Sequence, residues 1–353
     1  MTPRLRADLA ALPRYVPGKT VAGAVKLASN EVPFPPLEAV RRAIIEAAAG
    51  TTRYPDIAAT ALSERLALKV GTTPDRIAVG CGSVALCQQL AETTCIDADE
   101  IVYPWRSFEA YPIVTQVVRA RAVHVPLRDE ALDLTAVVAA ITDRTRLIFI
   151  CTPNNPTGTV LHRDEIDAFL AAVPPEVLVV LDEAYREFVD DPDSPDGVGY
   201  TATHDNVVVL RTLSKAYGLA GLRVGYAVGS PEVISAMRAV GIPFAVNSLA
   251  QAAALAALGC EEEVRDRCAQ LTAERVRLQA GLRTHGFAIP PSAANFVWLP
   301  LRDRSAEFAA HLAGAGLIVR PFDHPDNGGV RITVGAPEHN DLVVEAAATF
   351  VRS

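Results

Sequence analysis

One lysine in this chain stands where an amine can become reactive. Lys215 lies in the stretch Arg211-Thr212-Leu213-Ser214-Lys215-Ala216-Tyr217-Gly218-Leu219-Ala220-Gly221-Leu222-Arg223, between two apolar runs, 206–210 and 224–228, that read as buried strands. A lysine in a partly dry, apolar setting gives up its proton more easily and becomes a nucleophile toward carbonyl carbon, forming a Schiff base. Ser214 beside it and Arg223 further on add a hydroxyl and a fixed cation. The other lysines, Lys19, Lys26 and Lys69, lie near the N-terminus or on a polar helix. The bland alternative is a Ser-capped loop with a solvated lysine.

Other strand ends carry further chemistry. After the Val/Leu run 177–181 comes Asp182-Glu183-Ala184-Tyr185. An acid at the end of a buried strand is costly unless a cation meets it. A protonated pyridine nitrogen would be such a cation, and Tyr185 could then donate to a phenolic oxygen on the same ring. The alternative is an ordinary acidic helix cap. Gly80-Cys81-Gly82-Ser83-Val84-Ala85 follows another strand and opens a helix, so its backbone N–H groups and the positive dipole end form a seat for an anion or phosphate. The same residues match the GxGxxA dinucleotide fingerprint. That nicotinamide reading needs an acid after the next strand, where the chain instead has Pro104-Trp105-Arg106-Ser107-Phe108. Trp105, Phe108 and Tyr111 form an aromatic cluster, usually core but able to stack on a flat ligand. Thr152-Pro153-Asn154-Asn155-Pro156-Thr157-Gly158 projects an amide from a proline-held loop. A phosphate seat, a stacking aromatic, an amide, a buried carboxylate, a tyrosine and a lysine with Ser and Arg nearby are together what pyridoxal phosphate requires.

The elements that must position these groups alternate. Strands at 76–79, 101–103, 122–125, 147–151 and 177–181 are separated by helices at 83–95, 111–119, 133–140 and 163–173. Continuous apolar strands between amphipathic helices predict an α/β fold with a mostly parallel sheet covered on both faces, its ligands at the carboxyl ends of the strands. Helices at 36–50 and 58–70 precede this series. Beyond Pro231 helices dominate (232–241, 248–258, 261–284, 338–351), with strand signals at 295–299, 317–319 and 330–334, which predicts a smaller α+β domain. The expected division is an N-terminal arm (1–35), a large cofactor-binding domain (36–245) and a small C-terminal domain (246–353) packed with the arm.

Composition narrows the class. The 353 residues are 50% hydrophobic and 21% charged, ordinary for a folded chain with a large core. A net charge of −8 without a basic block argues against nucleic acid. No apolar run reaches membrane-spanning length, and the start Met1-Thr2-Pro3-Arg4-Leu5-Arg6 lacks the apolar segment of a secretory signal. Six cysteines without a CxxC pair are expected to be buried thiols, which points to a reducing, cytoplasmic home, and seven scattered histidines give no metal-ligand spacing.

From Ser29-Asn30-Glu31 and Arg53-Tyr54-Pro55 to Val330-Arg331-Ile332-Thr333-Val334-Gly335, the chain resembles fold-type I, pyridoxal-phosphate-dependent aminotransferases of the histidinol-phosphate branch. The most specific pieces are Asn154-Asn155-Pro156-Thr157-Gly158, Asp182-Glu183-Ala184-Tyr185, and Thr212-Leu213-Ser214-Lys215-Ala216 with Gly221-Leu222-Arg223. The resemblance implies that Lys215 binds the cofactor aldehyde and shuttles a proton, that Asp182 pairs with the ring nitrogen, and that Asn155 and Tyr185 hold the ring oxygen. It implies Phe108 stacking on the ring, with Ser214, Arg223 and the amides of Ser83 and Val84 on the phosphate. Tyr54 would reach that phosphate from a partner subunit of a homodimer. Arg331 would clamp an anionic substrate group, with Arg320, Tyr15 and Asn30 on the substrate side.

Many members carry an acid where this chain has Val84, which weakens a direct transfer of the histidinol-phosphate assignment. Trp105-Arg106-Ser107-Phe108-Glu109-Ala110-Tyr111 and Cys81-Gly82-Ser83-Val84-Ala85-Leu86-Cys87 are similar instead to actinobacterial aromatic aminotransferases. The expected activity is therefore transamination of phenylalanine, tyrosine or tryptophan with a 2-oxo acid such as 2-oxoglutarate. Histidinol-phosphate transamination is the runner-up, since Arg320 and Arg331 suit a phosphate as well as a carboxylate. A threonine-phosphate-type decarboxylase shares the lysine loop. A regulator's sensor domain would need a DNA-reading module that the short segment before Ser29 does not supply.

Overall fold

The computed structural model describes residues 18–352, together with residues 3, 6–8 and 12. A short strand, β1 (Val25–Lys26), is followed by two helices, α1 (Glu38–Ala48) and α2 (Thr60–Val70). The alternating series comes next: β2 (Ile77–Gly80), α3 (Ser83–Thr94), β3 (Glu100–Trp105), α4 (Ala110–Val117), β4 (Arg121–Pro126), α5 (Leu134–Ala139), β5 (Thr145–Cys151), α6 (Arg163–Ala172) and β6 (Leu178–Asp182). A helical turn, α7 (Val198–Thr201), leads to β7 (Val207–Thr212) and β8 (Gly225–Val228). Among the described residues β2 to β8 form one seven-stranded sheet, in the order β2-β8-β7-β6-β5-β3-β4. All its neighbours run parallel except β8, which is antiparallel to both β2 and β7.

The interior strands β6 and β7 are buried along their whole length because Val and Leu project from both faces onto covering helices. Asp182 closes β6 and Thr212 closes β7, so the two chemically interesting loops leave the same edge of the sheet. The strand that precedes the GxGxxA match, β2, lies at the sheet's end beside an antiparallel neighbour, not at a crevice where parallel strands diverge.

The C-terminal part carries α8 (Pro231–Val240), α9 (Ser248–Leu258), α10 (Glu261–Thr284), β9 (Phe296–Leu299), α11 (Ser305–Gly314), β10 (Leu317–Ile318), β11 (Arg320–Phe322), β12 (Gly329–Thr333) and α12 (Pro337–Arg352). Helix starts follow their local chemistry. Ser230 caps α8 with Pro231 at its first position, Asn247 caps α9, and Glu261, Glu262 and Glu263 face the positive end of α10. Strands β11-β12-β9 make a small antiparallel sheet, while β1 pairs in parallel with β10.

The strand expected over 317–319 is β10 (Leu317–Ile318), and a further short strand, β11 (Arg320–Phe322), follows it in a different sheet. Leu317–Ile318 pairs with Val25–Lys26, and Arg320–Phe322 pairs with β12. Apolar alternation reports which face is buried, not which neighbour supplies the ladder. Among the described residues no helix is long and apolar enough to cross a membrane.

Candidate active site

The carboxyl ends of β5, β6 and β7, the start of α3 and the strands β11 and β12 converge on a cleft of about 480 Å³, within the range of small-molecule sites. It is lined by Lys215, Asp182, Tyr185, Asn155, Asn30, Ser83, Val84, Phe108, Ser214, Arg223, Arg320 and Arg331. Chemistry-bearing residues spread over three hundred positions of sequence are thus gathered in one place. Two candidates stand apart. Tyr15 lies outside the described residues. Tyr54 is 83% exposed and its ring stacks on Phe244 at 4.7 Å, away from this chain's own cleft.

Lys215 sits on the loop between β7 and β8. Its Nζ donates to the Ser29 carbonyl at 3.0 Å and lies 6.0 Å from the centre of the Tyr185 ring. Burial pulls its pKa down to about 7, and the positive charges of Arg331 and Arg223 act in the same direction, opposed by Glu31. The amine is thus ready to lose its proton near neutrality.

Asp182 and Glu183 are neighbours with opposite fates. Glu183 turns to Arg211, whose Nη2 and Nε donate to Oε2 at 2.7 and 3.1 Å, and the Gly197 amide donates to Oε1. That acid is matched within the protein. Asp182 is 2% exposed; its Oδ2 accepts from the Tyr111 hydroxyl at 2.7 Å, and the nearby Ala184 amide also favours its charged form. Its Oδ1 has no hydrogen-bond partner among the described residues. Burial raises the Asp182 pKa to about 6, against the lowering effect of the Tyr111 bond. The neutral surroundings push the Tyr111, Cys87 and Cys151 groups upward too, each partly through the Asp182 charge.

A second cluster surrounds the start of α3. Gly82 has φ +77, which favours glycine, and a Cβ there would lie 2.2 Å from Arg223 Nη2, so any side chain would displace the guanidinium. Arg223 itself holds a left-handed conformation (φ 60°) and donates to Ser214 Oγ at 3.2 Å. A Cβ on Gly225 would fall 2.6 Å from the Ser83 nitrogen, a measure of how closely β8 approaches the first turn of α3. Helix N–H groups, a hydroxyl and a guanidinium therefore point at one concavity, the arrangement that binds phosphate.

The opposite wall is built by cross-connections. Arg331 donates to Asn155 Oδ1 at 2.5 Å and to the Ala28 carbonyl at 2.7 Å. Asn30 Nδ2 donates to the Tyr185 hydroxyl at 2.9 Å, and Asn295 donates to the Asn30 carbonyl. Arg320 pairs with Glu109 at 2.7 Å. Phe108 lines the cleft with its ring edge-on to Tyr111 at 5.6 Å.

Two site residues escaped sequence reasoning. Tyr111 was visible only as part of an aromatic cluster, and its hydroxyl bond to Asp182 spans 71 positions. Glu109 had no local signal, since its partner Arg320 is 211 positions away.

Comparison with known proteins agrees with this geometry. The family model for aminotransferase class I and II matches residues 22–348. The aromatic amino acid aminotransferase of Mycolicibacterium smegmatis is 52% identical over 351 residues, covering 99% of this chain and 96% of that protein. The protein of the same name from Mycobacterium tuberculosis H37Ra is 52% identical over 349 residues, covering 98% of each. Among solved structures, histidinol-phosphate aminotransferase from Sinorhizobium meliloti in complex with pyridoxal 5'-phosphate superposes with a TM-score of 0.88 at 30% identity, covering 93% of this chain and 91% of that one. With the match running through both sheets and the lysine loop, the chain belongs to the class I and II aminotransferases, fold-type I enzymes that depend on pyridoxal phosphate.

Proposed function

We propose that this protein transfers the amino group of an aromatic amino acid (phenylalanine, tyrosine or tryptophan) to a 2-oxo acid such as 2-oxoglutarate. What carries the choice of donor is the 52% identity, over nearly the whole chain, to proteins named for that activity. The apolar side of the cleft, where Val84, Phe108, Ile113 and Val114 gather, suits a phenyl or phenol side chain.

The cofactor fits the residues present. Asp182 Oδ1 is a buried acceptor left without a partner, beside a Glu183 that has a full set. A protonated ring nitrogen would supply both the missing donor and the missing positive charge. Ser214, Arg223 and the amides of Ser83 and Val84 would hold the phosphate. Tyr185 and Asn155 would hold the ring hydroxyl, and Phe108 would pack on the ring face. When bound, pyridoxal phosphate supplies an aldehyde for the substrate amine and an electron sink.

Around it the protein handles position and protons. Arg331, with two guanidinium nitrogens engaged on Asn155 and Ala28, is held in a fixed fork and would bind the substrate carboxylate. Asp182 would keep the ring nitrogen protonated. Lys215 Nζ would hold the cofactor aldehyde and move the proton at the substrate α-carbon, with a pKa near neutrality that suits both taking and giving it. Donor and acceptor then use the same site in turn, a ping-pong sequence. Comparing kcat/KM for phenylalanine and histidinol phosphate tests the donor. We expect phenylalanine to be preferred at least about tenfold, the scale on which one well-matched apolar group discriminates. A strong preference for histidinol phosphate overturns this choice.

We also infer a homodimer. Tyr54 turns away from its own cleft, and the same two segments expose Ile57, Ile242 and Phe244, a set that a second copy would cover. Tyr54 would then reach the partner's phosphate seat. Sedimentation equilibrium is expected to give twice the chain mass, and a monomer at micromolar concentration removes the inference. The division into an arm (1–35), a large domain (36–245) and a small domain (246–353) is our reading of the two main sheets, and the unpaired state of all six cysteines supports a reducing, cytoplasmic home.

A further inference from the structure

Resting on the aromatic-donor reading, we propose that Glu109 is a specificity-determining residue: its carboxylate occupies the Arg320 guanidinium and so disfavours donors whose side chain ends in a dianionic phosphate. Both residues line the cleft, and Arg320 Nη2 donates to Glu109 Oε2 at 2.7 Å. Arg320 is 9% exposed, so its charge cannot be satisfied by bulk water alone.

The surroundings make Glu109 decisive. The guanidinium groups of Arg106, Arg320 and Arg331 lie 5.3, 5.5 and 5.7 Å from the centre of the Phe322 ring. Arg331 is held by a side-chain amide and a backbone carbonyl, both neutral, and Arg106 leans on the Trp105 and Phe322 rings. Glu109 bonds directly to Arg320, and its charge also acts on Arg106, to which Asp323 adds a second, more peripheral negative charge. Without Glu109 this end of the cleft would be a concentrated cationic seat, suited to a dianionic phosphate. With it, an entering phosphate must break the Glu109–Arg320 pair and then set its double charge beside a carboxylate. A neutral ring asks for neither. The same pair links the start of α4 to β11, so a merely structural tie is the competing explanation.

The two roles separate in Glu109→Gln, which keeps shape and hydrogen bonding and removes the charge. A structural tie lost would lower all donors together. A specificity charge lost raises the ratio of kcat/KM for histidinol phosphate to that for phenylalanine, by about tenfold or more for one partly screened charge at this range. The gain should fall in the KM for histidinol phosphate more than in kcat, and Glu109→Ala should move the ratio the same way. It should vanish in Glu109→Gln combined with Arg320→Gln, because the seat itself is then gone. The cofactor absorbance of each variant shows whether the site is assembled. An unchanged ratio in both Glu109 variants, or a gain that survives in the double variant, overturns the proposal. The donor reading fails separately, on the wild-type enzyme, if histidinol phosphate is already preferred there.

Discussion

Lys215→Ala is expected to abolish turnover and, with it, the visible absorbance that the lysine-bound cofactor gives to the purified enzyme. The loss should reach at least about 10⁴-fold, because under the proposed roles one substitution would remove both the covalent anchor and the group that moves the α-proton. No neighbour can replace it. The other lysines are Lys19, Lys26 and Lys69, and Lys26 is engaged with Glu31 at 2.9 Å. The result would not reflect unfolding, as the linkage signs show. The folded pKa of Lys215 is about 7, below the unfolded value, so the unfolded chain binds more protons between pH 7 and the ordinary lysine range. Before cofactor binds, the buried amine therefore destabilises the fold most below pH 7 and progressively less as pH rises through that window. Alanine removes this slope, and the cofactor-free variant should melt no earlier than the wild type at pH 7. Turnover within tenfold of wild type, or a retained absorbance band, would remove Lys215 from its assigned role.

Asp182→Asn is the second large effect. Asparagine keeps the shape and can still accept from the Tyr111 hydroxyl, but it cannot hold a positive charge on a ring nitrogen. We expect kcat to fall by about 10² to 10⁴, the range typical for removing a preorganised electrostatic partner, with a smaller change in KM. Stability should move the other way. The folded pKa of Asp182, about 6, exceeds the unfolded carboxylate value, so its contribution is lost as pH rises from about 4 through 6 and stays lost above. In the cofactor-free protein at pH 7, asparagine should thus be neutral or stabilising. A variant with unchanged kcat would take Asp182 out of the mechanism, whatever its melting behaviour.

Most of this site was legible because its parts sit on strongly patterned elements. The Val and Leu runs of β6 and β7 mark buried strands unambiguously, and the residues just after them, Asp182 and Lys215, inherit a location at the sheet's carboxyl edge. Gly80 and Gly82 before Ser83 gave the anion seat by the same logic. What stayed hidden were pairings. Nothing in the run 225–228 says that β8 travels against its neighbours, since a strand buried on both faces reads alike in either direction. The Tyr111–Asp182 and Glu109–Arg320 bonds join distant elements, and periodicity fixes the face a side chain occupies without naming what it meets there. The exposure of Tyr54 was likewise unreadable, because Tyr is equally at home in cores and at interfaces.

The reversed direction of β8 has a mechanical consequence. Because β7 and β8 are adjacent and antiparallel, the loop carrying Lys215 leaves the sheet and re-enters it one strand over, rather than crossing to a distant strand. The Leu213 amide bonds to the Val224 carbonyl across the neck of this loop, and the Leu219 amide bonds back to the Leu213 carbonyl. Both feet are clamped to buried, paired strands of the central sheet, so little conformational freedom remains to be lost when the amine engages its target. The amine is aimed by the scaffold before any ligand arrives.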